Sequence, residues 1–142
     1  MQMTSKIINT ATISLEAAQA LLAAARSACA ARGFAATIAI TDAGGHLRAF
    51  ERADTAPFLT VGVATDKAWT AASFGMTTHQ WNQYMADPAV AALAHHPRMT
   101  PVGGGVPIVH EGRLVGGIGI SGGTSVQDHE AAEEALSNTG FL

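Results

Sequence analysis

Cysteine is almost missing from this chain: Cys29 stands alone among 142 residues. One thiol cannot close an intrachain disulfide, and it leaves no way to write a CxxC zinc knuckle or a CxxCH haem attachment. Charge is sparse as well, at 13% of residues, with eight basic against eleven acidic side chains and no basic cluster. A chain so poor in cations is not built to grip a phosphate backbone, so nucleic acid is not an expected partner. No apolar run reaches the length of about eighteen residues that a membrane span needs. The amino-terminal MQMTSKIINTATISL lacks the apolar core of a signal peptide. The expectation is a cytoplasmic protein with no membrane contact.

What is present is apolar bulk. Hydrophobic residues make up 48% of the chain, too many for a disordered segment, and the length suits one domain spanning residues 1–142. So little charge leaves apolar surface uncovered, which predicts a homo-oligomer.

The spacing of Leu15, Ala18, Leu22, Ala25 and Cys29 predicts a helix from Ser14, a natural N-cap, to Arg32, stopped by Gly33. Cys29 lies on its apolar stripe and reads as an inert core thiol. Residues Ala36 to Thr41 alternate as a strand, Asp42-Ala43-Gly44-Gly45 supplies a turn, and His46 to Arg52 reads as the returning strand. A second helix is predicted from Pro57 to about Phe74, with Lys67 beside its alanine stripe. Thr77-Thr78 caps a short helix through Trp81 and Tyr84, and Asp87-Pro88 opens another that ends before His95. Val106 to Val109, a turn at Glu111-Gly112 and a strand from Arg113 to Ser121 form a second hairpin; Ser125 with Asp128 fits a capping box for a last helix to Asn138. Both strand connections are too short for parallel crossovers, so the expected fold is α+β, an antiparallel sheet flanked by helices in three layers.

The long strand carries Val115, Gly117, Gly119 and Ser121 on one side, a nearly bare face. Strand glycines weaken packing, so a helix or a ligand must come close there. Gly117 to Gly122 satisfies GxGxxG literally, but the glycines lie inside a strand and too little chain follows for a βαβ unit, which excludes the dinucleotide reading. Gly122, Gly123 and Thr124 at a helix entry, and Gly103-Gly104-Gly105 before Val106-Pro107, could offer main-chain amides to an anion, or could be an ordinary cap and a loose turn. Arg52 and Lys67 either hold a carboxylate from a ligand or pair with Glu51, Asp54 or Asp66 at the surface. The six histidines lack metal-ligand spacing, so no defined metal site is expected. His46, His79, His110 and His129 read as acid–base groups, haem ligands or plain surface residues.

Taken together in order, TDAGGHLRAFERAD, VATDKAWTA, GGGVPIVHEGRLVGGIGISGG and QDHEAAEEAL resemble the GlcG/HbpS family, which also forms the carboxy-terminal domain of PduO-type proteins. The resemblance runs from about Leu15 to Leu136. It implies a profilin-like α/β/α domain with a five-stranded antiparallel sheet, a homo-oligomer with ligand sites near subunit contacts, and haem binding or haem degradation. Other members accompany catabolic enzymes of small organic acids. The first helix has no histidine, so an axial haem ligand cannot come from there.

Two functions are therefore expected to compete. One is a protein that binds a small anionic ligand or haem, with Arg52, Lys67, Gly104, Gly105, Pro107, Ser121, Gly122 and Gly123 lining the site. The other is a metal- and nucleotide-independent enzyme acting on a small organic acid, in which glycine amides hold the carboxylate and His129 or His79 moves a proton. A regulatory partner with a vestigial pocket is a third reading.

Overall fold

The computed structural model describes residues 5–141, so the first four residues of the amino-terminal stretch and Leu142 at the end of the expected domain lie outside it. Helix α1 covers Leu15–Ala31, with the Ser14 hydroxyl accepting from the Ala17 amide. Strands β1 (Thr37–Asp42) and β2 (Leu47–Arg52) form the first hairpin. Helices α2 (Leu59–Phe74) and α3 (Thr78–Tyr84) follow, then a single 3-10 turn at Ala91–His95. The second hairpin is β3 (Gly105–His110) with β4 (Arg113–Ser121), and α4 (Ser125–Asn138) closes the chain.

Among the described residues the sheet has four strands in the order β2-β1-β4-β3, all antiparallel, rather than the five that the family resemblance implied. Two further expectations are corrected. The capping box of α4 is Thr124 with Gln127, one residue earlier than Ser125 with Asp128, which frees the Asp128 carboxylate for another task. The segment after Asp87 is not an α-helix: the Asp87 carboxylate accepts from the Ala89 amide, a turn closure that competes with helix propagation.

Side-chain size assigns the two faces of the sheet. Ile38, Ile40, Ile118 and Ile120 face α1 and α4 and join Leu21, Cys29, Ala132 and Leu136 in the main core. The opposite face carries Thr37, Ala39, Thr41, Gly117 and Gly119, and α2 lies on it through Ala64 and Ala68. A Cβ at Gly119 would collide with the Ala64 carbonyl, and one at Gly117 with the Ala68 carbonyl. The bare face is thus a floor for the α2 backbone and is not open to a guest. Pro107 sits on β3, an edge strand, where a missing amide is tolerated. No helix among the described residues is long and apolar enough to cross a membrane.

Candidate functional site

Lys67 is the charged residue that the fold treats most unusually. It lies mid-way along α2 and is only 2% exposed. Its ammonium passes the carboxyl end of β4, donating to the Ile120 carbonyl at 2.9 Å and to Asp128 Oδ2 at 3.2 Å. One side chain therefore ties all three layers together. Burial pulls the Lys67 pKa down, with the attraction of Asp128 opposing it, and burial pushes the Asp128 carboxyl up, with Lys67 and the Gly123 amide opposing that.

The loop glycines make room for this pair. A Cβ on Gly104 would stand 2.7 Å from Lys67 Nζ, and one on Gly105 would meet the Lys67 carbonyl and the Thr78 methyl. The Gly105 amide donates to Thr78 Oγ1 at 2.8 Å and the Gly123 amide to Asp128 Oδ1 at 2.9 Å. Those two amides are engaged within the protein, which corrects the picture of an open amide cradle. Gly122, at φ 141°, packs against the Ala35 carbonyl, and Ser121 is buried opposite Thr37. Arg52 donates to the Ala56 carbonyl at 3.0 Å and stays exposed at the far end of β2.

His79 and His129, fifty residues apart in sequence, are brought together. Their ring centroids are 5.3 Å apart, His79 on α3 and His129 on α4. His129 Nε2 contacts the Glu133 carboxylate one turn on, while its buried Nδ1 has no hydrogen-bond partner among the described residues.

A further group joins residues that the sequence offered separately, Asp42 as part of a turn and His46 as a candidate acid–base group or haem ligand. At the β1–β2 turn, Asp42 Oδ1 accepts from the Gly44 and His46 amides at 2.9 and 3.0 Å and lies 3.4 Å from His46 Nδ1. Partial burial works upward on the Asp42 carboxyl, but the two amides and the imidazole outweigh it and hold the pKa below the usual carboxylate range. A carboxylate beside Nδ1 is placed to hold a proton there, an arrangement that would turn the Nε2 lone pair outward. The His46 side chain is 82% exposed. Gly45, at φ 82°, lets the turn settle on Trp69: a Cβ there would lie 2.9 Å from the indole. The Arg98 guanidinium stands 4.7 Å from the centre of the Trp69 ring and is anchored to Asp66 at 2.9 Å. The turn and the guanidinium both contact the indole, on which the His96 ring also stacks at 5.7 Å between centroids.

The other histidines differ in this respect. His96 Nδ1 accepts from the Arg98 amide at 3.4 Å, which places the neutral proton on Nε2. His110 and His129 turn Nε2 toward Glu111 and Glu133. Among the described residues no three His, Cys, Asp or Glu side chains converge as a metal ion would require. The signals available in the sequence were Asp42 four residues before His46, and the rarity of tryptophan, with two in the chain.

Comparison with known proteins decides the family. The model described as haem degrading protein HbpS-like matches residues 13–137. The chain belongs to this HbpS-like family. GlcG of Escherichia coli K12 is 32% identical over 109 residues, covering 77% of this chain and 81% of that protein. Among solved structures, the Klebsiella pneumoniae protein ORFY superposes with a TM-score of 0.90 at 28% identity, covering 99% of both chains. A PduOC:haem complex superposes with a TM-score of 0.83 at 27% identity, covering 89% of this chain and 94% of that one. The HbpS-like fold, an α+β domain with an antiparallel sheet and flanking helices, is thus shared over nearly the whole chain.

Proposed function

We propose that this HbpS-like protein binds haem at the face formed by the β1–β2 turn, with His46 Nε2 as the iron ligand. The observation that carries the reading is the Asp42–His46 pair, in which a carboxylate supports Nδ1 and Nε2 is left open, the arrangement that proteins use to orient metal-ligating imidazoles. The family description and the haem complex of PduOC support the choice of ligand.

The cavities constrain how haem would sit. Their volumes run from about 130 to about 310 Å³, at or below the lower end of the roughly 300–1,000 Å³ typical of enclosing sites. None of these four cavities can surround a macrocycle, so the ring would lie against the Trp69 side of the face, with Arg98 as the nearby cation for a propionate. Bound haem supplies an iron centre; the chain supplies an oriented imidazole, an apolar wall and a positive charge. Arg52 and Lys67 do not suit the same ligand. Arg52 lies six residues beyond His46, about 20 Å along an extended strand, and Lys67 is sealed against Asp128.

A second copy is the natural cover for such a surface site. Phe58, Leu59 and Val61 at the start of α2 are 87%, 72% and 38% exposed, a cluster that a homo-oligomer would bury. Haemin titration followed by absorption tests the reading. The expected result is a saturable Soret band that His46→Ala weakens at least tenfold and His110→Ala leaves unchanged. Equal affinity in the His46 variant would remove that residue from the site.

The His79–His129 contact favours a second reading, proton-transfer chemistry on a small organic acid. An imidazole held by Glu133 beside a second imidazole is a workable acid–base pair. This reading requires turnover of an organic acid in metal-free buffer that disappears in His129→Ala and His79→Ala. Turnover surviving both substitutions would exclude the pair.

A further inference from the structure

β2 is the outer strand on one side of the sheet, paired with β1 and with no strand on its other edge among the described residues. We infer that this edge accepts an extended acidic peptide as an added antiparallel strand, with the peptide's carboxylates meeting Arg48 and Arg52 on either side of Phe50. Backbone direction, side-chain pattern and charge lead to that class. The Ala53 amide donates to the Ala36 carbonyl, one step beyond the pair Thr37 and Arg52. Hydrogen-bonded and non-bonded pairs alternate along an antiparallel ladder, so Ala49 and Glu51 turn their amides and carbonyls toward β1, while Phe50 and Arg52 turn theirs outward. Such an edge is a template for a further strand. By the same count from the Ile120 amide on the Gly104 carbonyl, Pro107 faces outward on β3, so the opposite edge lacks a donor where an added strand needs one.

Side chains set the specificity. Ala49 and Glu51 are partly buried, Glu51 held by Arg26 of α1, and Arg48, Phe50 and Arg52 alternate with them as exposed residues. Arg48 is the extra residue of the irregularity that sets Ile40 opposite Ala49 and Thr41 opposite Leu47. Phe50 stands opposite Ala39, the β1 residue on which α2 packs. Arg26, Arg32, Lys67 and Arg98 each have a carboxylate partner, whereas Arg48 and Arg52 have none among the described residues. The Arg52 guanidinium meets only the Ala56 carbonyl, at 3.0 Å. Two uncompensated guanidinium groups on one edge of a chain whose net charge is -3 select an anionic partner. They also disfavour a second copy of β2: two such strands paired about Phe50 would set Arg48 against Arg52, and like charges directly opposite are destabilising. The matching segment reads acidic-x-apolar-x-acidic, with its alternate side chains on one face. The inference does not depend on haem binding.

The probe is the peptide acetyl-TETITET-amide, titrated into haem-free protein and followed by the backbone amide resonances. Saturable shifts centred on the Phe50 and Arg52 amides are expected, with slower solvent exchange of both. Acetyl-TKTITKT-amide should bind at least tenfold more weakly. So should TETITET N-methylated at its isoleucine, which loses the donor that faces the Phe50 carbonyl. The charge-reversed protein, Arg48→Glu with Arg52→Glu, should prefer the lysine peptide by a similar factor, an inversion that a damaged edge would not give. Absence of saturable shifts would overturn the inference, as would equal affinity for the acidic and lysine peptides or full affinity of the N-methylated one. An oligothymidylate binding as tightly as the acidic peptide would also overturn it, by showing a patch for any polyanion. Phe50 and Arg52 amides already protected from exchange in peptide-free protein would show an edge closed by a second copy, and would refute it equally.

Discussion

Replacing Asp128 by asparagine removes one charge from a pair whose two side chains are each 3% exposed. The asparagine oxygen can still accept from the Gly123 amide, but its amide group then confronts the Lys67 ammonium, donor against donor, leaving only the Ile120 carbonyl as a partner. Breaking a buried ion pair from one side costs about 3–5 kcal/mol, because a charge stays behind without compensation. Against a typical total of about 5–15 kcal/mol, that is a large share of the stability, and it corresponds to a fall in Tm of about 10–17 °C. The pair itself is a different matter. Burial is the largest influence on both partners and opposes both charges, so the attraction only offsets a cost that the fold has already incurred. Removing both charges with Lys67→Met and Asp128→Asn should therefore recover at least half of the loss. Urea unfolding read by tryptophan fluorescence gives each value, provided the slope m is unchanged. A cost below about 1 kcal/mol for Asp128→Asn, or a double variant as unstable as the sum of the singles, would refute this account of the layer-spanning tie.

Glycine substitutions should split by position. Gly119→Ala, whose new methyl meets the Ala64 carbonyl of α2, is expected to cost about 1–3 kcal/mol through overpacking, while Gly62→Ala, open on the outer side of the same helix, should stabilise by up to about 1 kcal/mol. Thermal unfolding of the two variants checks the pair, and a neutral Gly119→Ala would mean that α2 does not approach β4 so closely. The Asp42 carboxyl has a folded pKa below its unfolded value, so its contribution is complete above the unfolded pKa and disappears as pH falls through the folded one. The stability difference between wild type and Asp42→Asn should accordingly be flat above about pH 5 and shrink in more acid solution, given an unfolded value near 3.9; a difference that grew with acidity would contradict the assignment. Burial pushes the Cys29 thiol up to about 12, so the native protein should resist a thiol reagent at pH 8 and react fully once unfolded. Rapid labelling of native protein would show that α1 is not packed as described.

Local pattern carried much of the fold. The three-four spacing from Leu15 to Cys29 located α1, although Leu21 and Ala28 take the buried positions expected of Leu15 and Leu22, and alternation located both hairpins, because helix and strand periods are written in neighbouring residues. The bare side of β4 was legible as a close approach, but glycine reports only that something comes near, and the alternating pattern cannot distinguish an α2 carbonyl from a ligand atom. Lys67 shows the same limit. Its nearby acids are bound elsewhere, Asp66 to Arg98 and Glu51 to Arg26, and its partner lies 61 positions away. The meeting of His79 with His129 and of Trp69 with the turn at Gly45 depends equally on how the layers stack. The Asp42–His46 pair was within local reach, yet Asp42 also fits a turn, and that simpler role concealed its second one.

Iron anomalous scattering from crystals of the haem-loaded protein tests the central claim most directly. The account predicts an iron peak bonded to His46 Nε2, with the macrocycle on the Trp69 side of the turn. A peak on any other histidine, or a bound macrocycle whose iron has no protein ligand, would contradict it.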